Sequence, residues 1–148
     1  MSDLEARPHI CIVDDDVTQA TLLSYVLQRE YSTSILNSGE GALITIAKQK
    51  PDLILMDIMM EGVDGLEVCS QLKSNPDTRN IPVIFVTGLD NHVDQLNGFD
   101  AGAADYVTKP ITARLIRTRV DRVFQEHQRI GFLKSLVEDK CSSVLEMQ

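Results

Sequence analysis

The sequence predicts an α/β fold: a doubly wound five-stranded parallel sheet, helices on both faces, and an extended C-terminal helix. Three observations predict it. Short apolar runs at 9–13 (HICIV), 53–56 (LILM) and 82–86 (PVIFV) are bounded by charges or turn residues, as strands buried on both faces are. Segments with apolar residues at helical spacing follow. The β-α order recurs five times, with connections that suit βαβ crossovers. A sheet of this class commonly has the strand order 2-1-3-4-5, with its ligand crevice between strands one and three.

Residues 1–8 form an N-terminal extension. His9 to Val13 is the first strand and ends in Asp14-Asp15-Asp16. Val17 to Glu30 is an amphipathic helix carrying Leu22, Leu23, Val26 and Leu27, with Asp16 as its N-cap. Ser32 to Leu36 is a weaker edge strand. Asn37-Ser38-Gly39 turns the chain, and Glu40 to Gln49 is a helix with Leu43, Ile46 and Ala47, stopped by Pro51.

Leu53 to Met56 is a central strand that delivers Asp57 at its carboxyl end. Asp64-Gly65 then turns, and Asp64 with Glu67 forms a D-x-x-E variant of the capping box. The helix from Gly65 to Ser74 carries Leu66, Val68, Cys69 and Leu72, and Asn75-Pro76-Asp77 breaks it. Pro82 to Val86 is the fourth strand, ending in Thr87-Gly88. Asn91 to Ala101 is a short polar helix. Asp105 to Thr108 is the fifth strand and leads to Lys109-Pro110. The last helix begins near Thr112 and has no clear stop before Phe132.

At 148 residues the chain reads as one domain with room for a real core. A net charge of −8 argues against a broad nucleic-acid surface, so no direct nucleic-acid binding by this chain is expected. No apolar stretch approaches the roughly 18 residues of a membrane helix. MSDLEAR has no apolar h-region, so no membrane contact and a cytoplasmic location are expected. Cys11, Cys69 and Cys141 are odd in number, with no C-x-x-C, which indicates neither a zinc site nor a disulfide framework. Cys11 reads as a small core residue. His9, His92 and His127 are isolated and read as surface or edge histidines.

Four of the five strands deliver a polar group to one edge: Asp14 and Asp15, Asp57, Thr87, and Lys109. A lone acid at a strand end is ordinarily just solvated; the joint pattern carries the weight. Three carboxylates this close repel, and one is pushed to a raised pKa unless a cation sits among them. Oxygen ligands without His or Cys favour Mg²⁺ over zinc. Mg²⁺ binds through one or two carboxylates plus phosphate oxygens. Lys109 supplies a compact positive charge for phosphoryl oxygens, and Thr87 a hydroxyl. Asp57 is the natural acceptor, because a carboxylate can attack phosphorus to give an aspartyl-phosphate.

IVDDD at 12–16, DLILMDIMMEGVDG at 52–65, IPVIFVTG at 81–88 and GFDAGAADYVTKP at 98–110, in this order, resemble the receiver domain of two-component response regulators. The resemblance implies a receiver over 9–126 and a helical tail or linker over 127–148. It implies that Asp57 accepts a phosphoryl group from a sensor histidine kinase or histidine phosphotransfer protein. Asp15 and Asp57 would bind Mg²⁺ directly, with Asp14 helping through water and the Met59 backbone carbonyl completing the set. Thr87 and Lys109 would hold phosphoryl oxygens. Lys109-Pro110 would be cis. Tyr106 would be a switch aromatic, its other reading being a half-buried strand residue.

One position departs from the family pattern: Glu61 stands where the family usually has proline. Its side chain either points to solvent or bears on Mg²⁺ affinity and phosphate lifetime.

The switching face implied is the helix over 91–101, the strand over 105–108 and the last helix, which would dimerise or dock an output partner. Arg114, Arg117, Arg119 and Arg122 either pair with Asp94, Asp100 or Asp105 across a two-fold axis or form a solvated basic face. Farther on, Val120, Val123, His127, Ile130, Leu133, Val137, Cys141 and Val144 recur at spacings of three and four, like a helix seam. Gly131 sets the competing expectation, a helix that frays beyond it. A homodimer through this helix, or an output domain beyond Gln148, would use the seam.

Two other functions compete. Asp14-Asp15-Asp16-Val17-Thr18 fits the D-x-D-x-T of haloacid-dehalogenase-like Mg²⁺-dependent phosphatases, with Asp14 as nucleophile. That family needs a later acidic pair, which does not follow Lys109, and it leaves Asp57 without a role. An unphosphorylated interaction module has no need of five matching site residues. The expectation is a phosphoacceptor, not a turnover enzyme.

Overall fold

A computed structural model of the chain describes residues 7–88 and 92–146. Residues 1–6 of the N-terminal extension and the expected helix start at Asn91 lie outside it, as do the side chains of His92, Asp94, Cys141 and Val144. Among the described residues, five strands form one parallel sheet: β1 (His9–Val13), β2 (Ser32–Leu36), β3 (Leu53–Met56), β4 (Val83–Thr87) and β5 (Asp105–Thr108). Their order is β2-β1-β3-β4-β5, as the sequence predicts. The helices are α1 (Val17–Leu27), α2 (Ala42–Gln49), α3 (Gly65–Ser74), α4 (His92–Asp100) and α5 (Ala113–Glu146).

Side chains alternate across a strand, so each strand feeds two cores. Ile10, Ile12, Leu53, Leu55, Ile84 and Val86 pack with Ala20, Leu23 and Leu27 of α1 and Ile116, Val120 and Val123 of α5. Cys11, Val13, Ile54, Met56, Val83 and Phe85 face the other way, against Ala42 and Ile46 of α2 and Val68, Cys69 and Leu72 of α3. Cys11 is a buried core thiol, as expected. Burying each such aliphatic side chain stabilises by about 1.5–3 kcal/mol.

Several boundaries differ from the expected ones for local reasons. α1 ends at Leu27, not Glu30, because Tyr31 turns inward, its N–H donating to the Leu27 carbonyl. The Tyr31 hydroxyl donates to Asp121 of α5, and its ring stacks on Phe124. α2 begins at Ala42, not Glu40, because Gly41 takes a left-handed φ of 72° ahead of it. Lys50, also left-handed, closes α2 before Pro51. β4 starts at Val83 because Pro82 has no N–H for the ladder, and it runs on to Thr87.

A two-stranded antiparallel ribbon, Met59–Met60 with Val63–Asp64, follows β3; the sequence reading has no such element. α5 continues through Gly131 to Glu146, so fraying at Gly131 is corrected: the roughly 1 kcal/mol a helical glycine costs does not break it. Of the expected seam, Val120 and Val123 belong to the core, while Ile130, Leu133 and Val137 are exposed. No helix among the described residues is long and apolar enough to cross a membrane.

Candidate functional site

The three acids after β1 have three different jobs. Asp14 continues the strand, its N–H donating to the Leu36 carbonyl, and its carboxyl group is buried. Asp15 is exposed at the crevice. Asp16 caps α1, its carboxylate accepting the Gln19 N–H, as predicted. The Asp16 N–H in turn donates to Asp14 Oδ1 at 2.9 Å.

Asp57 follows β3, its N–H donating to the Val13 carbonyl at 3.0 Å, which holds it beside Asp14. One carboxylate oxygen each from Asp14, Asp15 and Asp57 lies within 4.8 Å of the others. Asp14 and Asp57 are buried, and Lys109 reaches both: its Nζ is 3.0 Å from Asp57 Oδ2 and 3.4 Å from Asp14 Oδ2. The Lys109 N–H donates to the Thr87 carbonyl at 2.8 Å, which fixes the lysine after β5. The Lys109-Pro110 bond is cis.

The electrostatics follow from this crowding. Burial, together with the neighbouring Asp57 charge, holds the Asp14 carboxyl above the usual carboxylate range; the Asp16 N–H and Lys109 oppose this. Burial alone pulls the Lys109 ammonium down, but the hydrogen bond and charge of Asp57, then those of Asp14, outweigh it and raise its pKa. Three carboxylates with one lysine make an anionic, all-oxygen donor set within reach of one ion, a fit for a hard divalent cation.

Thr87 is buried at the end of β4. Tyr106 on β5 is half-buried, its ring tilted against Phe85 at a centroid separation of 6.4 Å and seated close to Gly98 of α4. The Met59 N–H donates to Asp57 Oδ1 at 3.3 Å, and the Met59 side chain is exposed. The Glu61 side chain is also exposed, and its N–H donates to Asp15 Oδ2 at 2.9 Å. The structure brings Asp14, Asp15, Asp57 and Lys109 together.

Sequence reasoning missed two contributors. Gly65 lies against the site itself: a Cβ there would lie 2.2 Å from the Asp57 carbonyl oxygen. The Asp-Gly pair at 64–65 signals the turn and not this approach. The Glu61 N–H is a main-chain donor that residue type does not reveal. Asp64 does cap α3, accepting the Leu66 N–H at 2.8 Å. Within the chain, Arg119 and Arg122 pair with Asp105, at 3.4 and 2.9 Å.

A family model for the response regulator receiver domain matches residues 10–121. Over 112 residues the chain is 43% identical to response regulator PleD of Caulobacter vibrioides, covering 75% of this chain and 25% of that protein. It is 37% identical over 120 residues to the alkaline phosphatase synthesis transcriptional regulatory protein PhoP of Bacillus subtilis, covering 80% and 49%. The chain thus spans between about a quarter and a half of the length of these relatives.

Among solved structures, the receiver domain of the Francisella response regulator 1452 matches with a TM-score of 0.74 and 27% identity, over 81% of this chain and 98% of that one. The BeF3-activated DrrB receiver domain matches with a TM-score of 0.72 and 32% identity, over 80% and 98%. The phosphatase reading is not favoured by any of these, and its nucleophile Asp14 is the acid left only 2% exposed. With the family model reaching all five strands and the acid cluster, the chain belongs to the response regulator receiver family.

Proposed function

We propose that Asp57 is the phosphoacceptor of this receiver. The single observation behind this reading is the Lys109 ammonium 3.0 Å from an Asp57 carboxylate that also lies within ion-binding reach of Asp14 and Asp15. An Asp57 carboxylate oxygen attacks the phosphorus of a phosphohistidine. The P–O bond forms as the P–N bond breaks, and the donor imidazole leaves. Hydrolysis later returns inorganic phosphate and the carboxylate. Lys109 and Thr87 hold the phosphoryl oxygens as charge shifts between them.

Asp15, Asp57 and the Met59 carbonyl would hold Mg²⁺ directly, and Asp14 through water. The ion, when bound, supplies charge neutralisation for the acids and the incoming phosphoryl group. Tyr106 acts as the switch aromatic, moving inward as Thr87 engages the phosphoryl group. The change is read on the face made by α4, β5 and α5.

Residues 9–126 serve as the receiver and 127–148 as a tail that carries the signal onward. The donor is a sensor histidine kinase or a histidine phosphotransfer protein, met in the cytoplasm. Self-association uses the α4-β5-α5 face or the distal part of α5. The chain accepts and sheds phosphate without turning over other substrates.

The test is to incubate the protein with Mg²⁺ and acetyl phosphate and measure intact mass, then repeat with Asp57→Asn and Asp14→Asn. Labelling absent from Asp57→Asn and kept in Asp14→Asn is the expected result. Steady turnover of phosphate esters that depends on Asp14 would replace it with the phosphatase reading.

A further inference from the structure

The three acids of the cluster are not held alike. Asp14 and Asp57 are buried, and both accept from Lys109. Asp15 is exposed, and its Oδ2 takes the Glu61 N–H at 2.9 Å. An exposed acid on a turn samples several rotamers unless something fixes it. A carboxylate has about four lone-pair sites, so one N–H leaves room for a cation on the same group.

We propose that Glu61 is a positioning residue for the cation site through its main-chain N–H, which holds the Asp15 carboxylate toward Asp14 and Asp57. The side-chain charge of Glu61, exposed to solvent, is secondary. This rests on the reading of Asp15 and Asp57 as the acids that hold the ion. It also gives the departure from the family's usual proline a physical content: a proline here has no N–H, and the tie to Asp15 does not exist.

The local backbone makes the idea separable from folding. Glu61 and Gly62 are the central residues of the turn joining Met60 to Val63. Gly62 is left-handed, with φ 77°, while Glu61 is not. That is the pattern of a type II turn, whose first central position favours proline. Met60 is in a strand, the backbone that a following proline requires. Glu61→Pro therefore keeps the turn and removes the donor.

The experiment titrates MgCl₂ into wild type, Glu61→Ala and Glu61→Pro, following backbone amide shifts in ¹H–¹⁵N spectra. Urea unfolding without metal checks that all three fold. Both variants lack the carboxylate, and only the proline lacks the N–H. Mg²⁺ is expected to bind Glu61→Pro about tenfold more weakly than Glu61→Ala, the low end for losing a partner behind a metal ligand. Equal affinities in the two variants overturn the proposal.

A second measurement does not depend on the proline variant folding. Hydrogen exchange at the Glu61 amide in metal-free wild type is expected to be several-fold slower than in Asp15→Ala, and equal rates overturn the tie. If wild type and Asp15→Ala bind Mg²⁺ alike, the reading of the acids falls instead, a result distinct from the two variants at 61 agreeing.

Discussion

The Lys109 ammonium lies 3.0 Å from Asp57 Oδ2, joining the end of β5 to the end of β3 across the intervening β4. The same nitrogen is 3.4 Å from Asp14, so one internal cation serves two acids of the cluster. A bound divalent ion would compete with it for those oxygens. Lys109→Ala is therefore expected to raise Mg²⁺ affinity while slowing acetyl phosphate labelling by roughly a hundredfold, as loss of a preorganised donor does. Titration and intact-mass kinetics on one preparation check both; a fall in Mg²⁺ affinity would contradict the competition.

Gly65 is expected to resist substitution. A Cβ there would meet the Asp57 carbonyl oxygen at 2.2 Å and the Ile58 Cα at 2.9 Å, both backbone atoms that cannot swing away. Gly65→Ala should cost about 3 kcal/mol, the upper end of what overpacking costs. It should also weaken labelling of Asp57, since the only relief is to shift that strand end. Urea unfolding and mass labelling read the two effects separately.

Tyr31 gives a pH dependence. Burial first, then the bond and charge of Asp121, raise its pKa above the ordinary phenol value of about 10. The folded phenol keeps its proton where the unfolded chain begins to lose one. Its contribution is thus fully present below about pH 10 and declines above it, by up to about 1.4 kcal/mol per pH unit. Tyr31→Phe is expected to lose about 1 kcal/mol at neutral pH and to show a shallower decline from pH 10 upward. Urea unfolding at both pH values measures this, and identical slopes would contradict it.

Asp105 accepts from Arg119 and Arg122 within its own chain and is only 6% exposed. Asp105→Ala is expected to cost about 1–2 kcal/mol, less than a fully buried charged hydrogen bond, because Arg122 is 58% exposed. The loss should not vary with protein concentration. A concentration-dependent loss in thermal unfolding would instead place the pairing across a two-fold axis.

The sheet was legible because β1, β3 and β4 are buried on both faces, which leaves no choice of residue but apolar ones. The acids were legible because each sits where such a run stops, and Lys109 because it closes the fifth strand of the repeating order. The ribbon at 59–64 was not, since two residues per strand are too few to set a period. The Glu61 N–H and the closeness of Gly65 to Asp57 are main-chain facts, and side-chain identity says nothing about them. The pairing of Arg119 and Arg122 with Asp105 was not legible, because charge spacing along a helix does not say whether a partner lies in the same chain. The long last helix was legible from its apolar spacing, and the one glycine at 131 does not stop it, because good helix formers stand on either side.

That α5 is unbroken has a mechanical consequence. Its base is pinned to β5 by Asp105 and to Tyr31 by Asp121, and the pivot lies where the core contacts stop near Phe124. From there to Glu146, at 1.5 Å per residue, the rod reaches about 33 Å. A tilt of about 5° at the pivot would swing the far end by roughly 3 Å. A sub-ångström adjustment beside the sheet would therefore reach the far end of the rod as a stroke of several ångströms.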